Sequence, residues 1–259
     1  MTKPNCLHIS ILLILCSILL FGNVKGADTI SKEAIRKVDS LNALAFTQKR
    51  FDAAKALNNL FVSEDLATTT NYQKGLATTY LYEAGIFHQN GYEGKALSTY
   101  YKSLQLFKTL NDTFNIAFTS QQIALSLQAD SKSGEAIQMY DESLRVFTAL
   151  DKKEDIANIK NSIGLVDLDM QKFDDAERNF KEALSICTHI NYLYGEKKSY
   201  YNLGLLEEQR NNFQAAEVYY KRSLSKDVIM KDRYDAALNW LQIASINMKQ
   251  KRTDVSIAL

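Results

Sequence analysis

Apolar and polar positions recur along the chain with one long period. Ala96, Ala136, Ala176 and Ala216 stand 40 residues apart, and an aromatic ring follows each four residues later, at Tyr100, Tyr140, Phe180 and Tyr220. A leucine follows eight residues after each alanine (Leu104, Leu144, Leu184, Leu224), preceded by a small residue (Ser103, Ser143, Ala183, Ser223). Offsets of four, seven and eight mark one face of an α-helix. Twelve residues before each alanine lies a second small position (Ala84, Ala124, Gly164, Gly204), and one more period reaches Ala244. Each unit is therefore predicted to be two antiparallel helices, with a small residue on the first admitting a ring from the second. Four copies at a fixed period indicate a repeat array.

Turn signals fall where this scheme needs them: Gly91 and Gly94, Ser131 to Gly134, Gln171 to Phe173, and Asn211 to Phe213. Polar links, Leu110 to Thr113 and Leu150 to Lys153, separate successive units, and the period of 40 is expected to reflect a longer second helix. The chain has one proline, Pro4, and no sustained strand-type alternation, so an all-α fold follows. Residues 27–70 are expected to form a degenerate first repeat around Leu41, Phe51, Ala54, Leu57, Leu60 and Phe61, with Ala54 set 42 residues before the next repeat alanine. Residues 71–234 hold four repeats, and residues 235–259 an incomplete last one, in which Trp240, Ile243 and Ala244 restart a first helix whose apolar face lacks a partner.

The units resemble the tetratricopeptide repeat, written W-x2-L-G-x2-Y, then A-x3-F, then P. The match is clearest at Tyr200, Leu203, Gly204, Ala216 and Tyr220, at Lys160, Ile163, Gly164, Ala176 and Phe180, and at Trp240, Ile243 and Ala244. The terminal proline is absent, the unit is longer than usual, and the third aromatic of the first helix is replaced by Asp167, Glu207 and Asn247. Longer-period forms resemble those of kinesin light chain, of peptide-pheromone receptors in Gram-positive bacteria and of bacterial sensor proteins. The resemblance implies a right-handed superhelical solenoid of antiparallel helix pairs, whose concave wall is made by the first helices. It implies that a protein or peptide partner meets that wall at Gln121, Leu125 and Gln128, at Asn161, Leu165 and Leu168, and at Tyr201, Leu205 and Glu208. Leu241, Ser245 and Met248 are the corresponding positions of the last helix. Amides beside leucines and a tyrosine suit an extended peptide or a helix, not a carboxylate clamp.

The amino terminus adds an address. An apolar run from Ile11 to Phe21, with Val24 and Gly26 ahead of Ala27, reads as a signal peptide over residues 1–26 and an extracytoplasmic, periplasmic destination. Without Lys3 and Lys25 of that leader, 29 of the 31 basic residues remain against 30 acidic ones, which gives no basic footprint for nucleic acid. Cys6 and Cys16 lie in the leader, so Cys187 is the one remaining thiol, at the position of Phe107 and Phe147 in earlier copies, and is expected in the core. His88 and His189 are far apart, no phosphate-cradling glycine motif is present, and no catalytic, metal or cofactor constellation is expected. The chain is thus expected to be an exported, non-catalytic binding scaffold with possible end-to-end self-association through the last repeat. The alternative is the input half of a membrane-bound signal-transduction protein.

Overall fold

The computed structural model describes residues 32–257, with side chains through residue 251. The expected leader, residues 1–26, lies outside them. Among the described residues every regular element is an α-helix. α1 covers residues 32–48; then come α2 (Ala53–Thr69), α3 (Gln73–Gln89), α4 (Glu93–Thr109), α5 (Thr113–Ala129) and α6 (Ser133–Ala149). α7 (Lys153–Asp169), α8 (Phe173–His189), α9 (Leu193–Gln209), α10 (Phe213–Met230) and α11 (Arg233–Ile257) complete the series.

The period of 40 has a simpler origin than a long second helix. Helices α2 to α9 each hold 17 residues. Every twentieth residue from Asn71 to Lys231 has a positive φ: Asn71, Gly91, Asn111, Ser131, Asp151, Gln171, Asn191, Asn211 and Lys231. A left-handed residue just past a helix end lets its own N–H and that of the next residue reach back to orphan carbonyls. Ser131 N–H bonds Gln128 O at 2.9 Å and Lys132 N–H bonds Leu127 O at 2.8 Å; Gly91 and Tyr92 repeat this on His88 and Phe87. The same closure ends first and second helices alike, so the unit is two equal halves. Asparagine holds four of the nine positions, as the residue that tolerates this conformation best after glycine.

The chain divides into two compact units after Asn111. In the first, α2 buries Ala56, Leu60, Ser63 and Ala67. Ala56, not Ala54, is the counterpart of Ala96, so this repeat keeps the period instead of departing from it. Ala54 faces solvent, as do Phe51 and Phe61, around which the sequence pattern builds the first repeat. A buried knot ties three helices together: Asn42 Nδ2 donates to Gly75 O at 3.1 Å, while Ser63 and Thr79 hydroxyls reach Asn42 Oδ1 at 3.0 and 2.9 Å. In α4, Tyr100 is buried and the Ser103 hydroxyl donates to Ala77 O at 2.7 Å.

In the second unit, hairpins α5–α6, α7–α8 and α9–α10 stack in order, and α11 packs on α10. Tyr140, Phe180 and Tyr220 are fully buried, each burial worth roughly 1.5–3 kcal/mol. The small position opposite each ring is required by space: a Cβ added to Gly164 would stand 2.5 Å from Phe180, and one on Gly204 would stand 2.6 Å from Tyr220. Ser143 donates to Ala117 O at 2.8 Å, repeating the Ser103 bond. Cys187 is buried against Ala157 and Ala183, and burial pushes its thiol up to about 11. α11 runs 25 residues without a break, straight through position 251, where the period would place a turn.

Two measurements check this packing. Gly164→Ala is expected to cost about 1–3 kcal/mol through overpacking against Phe180, read as a lower urea midpoint, and adding Phe180→Leu should recover part of it. Cys187 is expected to react with a thiol reagent at pH 8 only after unfolding; equal labelling rates with and without urea would place it outside the core.

Candidate binding wall

First helices α5, α7 and α9 lie side by side in the second unit. A polar ladder whose partners are 41 residues apart joins each of them to the next, and α9 to α11. Gln128 Nε2 donates to Asp169 Oδ2 at 3.4 Å, Asn202 Nδ2 to Asn161 Oδ1 at 3.3 Å and Gln242 Nε2 to the Tyr201 hydroxyl at 3.3 Å; Lys249 Nζ donates to Glu208 Oε1 at 2.6 Å. Equivalent positions are 40 apart, so each rung joins one helix to the next helix's equivalent residue plus one. Rungs of this kind fix the stagger of neighbouring first helices, each adding on the order of 1 kcal/mol or less where water reaches it.

The nine wall residues expected from the sequence separate into three groups. Gln128, Leu168 and Glu208 meet the tips of the repeat rings. The Tyr140 hydroxyl donates to Gln128 Oε1 at 3.3 Å and the Tyr220 hydroxyl to Glu208 Oε2 at 2.8 Å. Where the ring is Phe180 and has no hydroxyl, the position is Leu168, buried in the same apolar cluster. A buried phenol needs an acceptor and a buried phenyl an apolar neighbour. Burial raises the Tyr140 and Tyr220 phenols above their ordinary range, and the hydrogen bond to Glu208 adds to this at Tyr220.

Gln121 and Asn161 form the second group. Both are buried, and Asn161 Nδ2 donates to Ser199 Oγ at 2.9 Å while its oxygen takes the Asn202 rung. Asn161 and Leu168, 1 % and 3 % exposed, hold the wall together and do not line it. The third group remains available: Leu125, Leu165 and Leu205 at one repeat position, and Tyr201, are each half-buried. The Tyr201 ring lies 5.4 Å from that of Tyr220, tilted by 55° to it. Beside it, a cavity of about 300 Å³ opens between α9, α10 and α11, lined by Lys198, Tyr201, Asn202, Ser223, Leu238 and Asn239. Burial holds the Lys198 ammonium below its ordinary value.

The floor of this cavity carries a charge cluster that the sequence reading missed. Lys197 is buried, and its Nζ lies 3.1 Å from Asp227, 3.2 Å from Asp232 and within ion-pair distance of Asp235. Asp227 is itself fully buried, and Asn239 Nδ2 donates to its other oxygen at 2.6 Å. The three carboxylates stand close enough together to hold a metal ion, but the cation among them is the lysine's own ammonium. Burial works against that charge; hydrogen bonds to Asp235, Asp227 and Asp232 outweigh it and raise the Lys197 ammonium above its ordinary value. The signal was present in the period: Lys197 stands where Ala77, Ala117 and Ala157 stand, and Asp227 where Phe107, Phe147 and Cys187 stand. One small–large apolar pair of the hairpin has been exchanged for an ion pair.

Residues 155–226 match the family model described as tetratricopeptide repeat. Among solved structures, the apo form of RapI is 14% identical, with 84% of this chain and 85% of that chain covered and a TM-score of 0.62. A Rap protein complexed with competence and sporulation factor is also 14% identical, covering 84% of this chain and 66% of that one, at a TM-score of 0.62. Nearly identical TPR-like repeats of a kinesin light chain from P. anserina are 11% identical over 75% of this chain and 97% of theirs, at a TM-score of 0.60. Identities this low establish likeness of fold. No curated protein sequence matches the chain.

Removing one member of the buried pair should cost far more than exchanging both. Lys197→Ala is expected to destabilise by about 3–5 kcal/mol, because Asp227 stays buried without its counter-charge, whereas Lys197→Ala with Asp227→Phe should be neutral or stabilising by about 1–4 kcal/mol. A lysine whose folded value is raised contributes stability that is complete below its unfolded value, near pH 10.4, and is lost as pH rises through the folded value. Urea titrations from pH 8 to 12 should therefore show a loss above about pH 10.5 that is larger in the parent than in the double variant, where the buried phenols still contribute.

Proposed function

We propose that this chain, a tetratricopeptide-repeat protein by its repeats and its fold, is an exported scaffold that binds a peptide or protein segment and carries out no catalysis of its own. The observation that carries the proposal is the row formed by Leu125, Leu165 and Leu205 with Tyr201. Three leucines at one repeat position and Tyr201, one turn before the last of them, stay partly open, while buried polar neighbours such as Gln121 and Asn161 are enclosed within the wall. An apolar row bordered by polar rungs suits a segment that offers side chains at regular spacing and main-chain polar groups alongside them. The cavity beside Tyr201 opens next to that row; its volume is at the small end for ligand pockets and fits one side chain of such a segment. Likeness of fold to a Rap conjugation gene regulator solved in complex with the Phr* peptide supports a peptide as the occupant.

Export rests on the sequence of residues 1–26 and calls for its own test: amino-terminal sequencing of the protein from its native host should begin at Ala27. The same likeness to Rap structures favours a signalling variant of the proposal, in which occupancy of the wall is the input read by a further part of a longer protein.

A random twelve-residue peptide library selected on the chain is expected to yield binders with one shared spacing of apolar residues. Leu125→Ala with Leu205→Ala should weaken the best of them at least about tenfold at unchanged helicity. Selection of no binder, or binders indifferent to both changes, would overturn the assignment of the row.

A further inference from the structure

α11 buries Asn239, Ile243 and Ile246 against α10 and presents its opposite side to solvent. That outer side is an apolar stripe: Tyr234, Ala237, Leu241, Ala244 and Met248, flanked by Trp240, are all exposed. From Ala237 the steps are four, three and four, the spacing of a straight seam along a helix. Single exposed apolar residues are ordinary, but a continuous stripe over four turns marks an interaction surface.

The position in the repeat says what kind of surface it is. Ala244 corresponds to Ala84, Ala124, Gly164 and Gly204, and Ala237 to Ala77, Ala117 and Ala157. In those helices the small residues are buried beneath an antiparallel second helix, as Gly204 is beneath Tyr220. α11 therefore carries the docking face used by the other first helices, and no described helix covers it.

We propose that a second copy of this chain covers it, the two α11 helices packing antiparallel about a twofold axis that passes between Gln242 and Ile243. The stripe is complementary to itself in that arrangement. Leu241 falls opposite the partner's Ala244 and Met248 opposite the partner's Ala237, so both long aliphatic side chains meet a small one. A parallel pairing would set Leu241 on Leu241 and leave Ala237 facing Ala237. A twofold contact needs this reciprocity, residue i on j and j on i. At the ends, Tyr234 meets the partner's Lys251, a pairing of ring and ammonium that is attractive where like charges would repel. With Trp240, Leu241 and Met248 each at least 60 % exposed and Tyr234 75 %, the stripe offers on the order of 600 Å² per chain, about 1,200 Å² for the pair, the lower edge of specific interfaces. A reversible dimer in the micromolar range follows.

The test is light scattering and sedimentation of the chain from Ala27, from about 1 to 100 µM, spanning the expected range. A concentration-dependent mass approaching two chains is expected. Ala244→Leu, which drives leucine against leucine, should weaken the dimer at least about tenfold. Leu241→Ala with Ala244→Leu exchanges large and small on both copies and should restore it to within about threefold. All these positions are exposed, so circular dichroism and melting should be unchanged, and a variant that unfolds is replaced by Met248→Glu. A monomer at 100 µM, or a dimer indifferent to both single and paired changes, overturns the proposal. A monomer that instead binds the peptide Phe213–Met230, a second helix of this family of repeats, would assign the face to a helix from another source and overturn it as well.

Discussion

The hairpins α3–α4, α5–α6, α7–α8 and α9–α10 depend on one close approach: a side chain of one or no carbons on the first helix against an aromatic ring on the second. At Gly164 and Gly204 the approach leaves no room for a Cβ, and Ala84 and Ala124 fill the same place with one methyl and no exposed surface. The ring is among the largest fully buried side chains of its repeat, and the small residue sets how near the backbones come. Other regularities follow from that distance. The Ser103 and Ser143 hydroxyls can reach carbonyls of the preceding helix only because the helices are this close. The rings also choose what stands at the ends of the first helices, an acceptor for Tyr140 and Tyr220 and a leucine for Phe180.

Much of the fold was legible because this contact is made by residue types that stand out in a sequence. Alanine, glycine and large rings at fixed offsets identify the hairpin, its period and its core, Cys187 included. Turn closure was less legible. The left-handed position is held by Asn, Gly, Ser, Asp, Gln and Lys in turn, and no single residue type announces it, so the equal length of the helices was hidden behind a correct period. At the amino-terminal repeat the absence of a ring was misleading: with Leu60 in the ring position, the exposed Phe51 and Phe61 drew the register to Ala54 when the buried alanine is Ala56.

The wall shows a different limit. Helical spacing says which residues share a face, and Gln121, Asn161 and Tyr201 do stand at matched positions. It does not say whether a polar side chain on that face looks outward or sideways into the next helix. Asn161 looks sideways, because Ser199 and Asn202 on α9 offer it both a hydroxyl and an amide. Tyr201 keeps part of its ring open, since its hydroxyl alone is enough for Gln242. Partners 41 residues apart are invisible to any window the length of one helix, yet they decide which residues are left for a ligand.

The exchanged pair at Lys197 and Asp227 belongs to the same logic of alignment. In an array of near-identical hairpins, a second helix that pairs with the wrong first helix meets almost the same apolar face, and misassembly of this kind is the characteristic hazard of repeat chains. Ala77, Ala117 and Ala157 would each accept α10 but for Asp227, whose carboxylate would then be buried with no counter-charge. Lys197 is equally intolerant of the Phe107 and Phe147 rings on α4 and α6. The pair adds little net stability over an alanine and a phenylalanine, but it makes the wrong pairings costly, as specificity through a disfavoured alternative requires. Asp232 and Asp235 extend the same cluster onto the turn before α11 and onto its first residues. The ammonium that assigns α10 to α9 thereby also anchors the start of α11, and with Ile243 and Ile246 held inward on α10 the rotation of that helix is set. Its apolar stripe faces outward as a consequence of a charge buried one hairpin earlier.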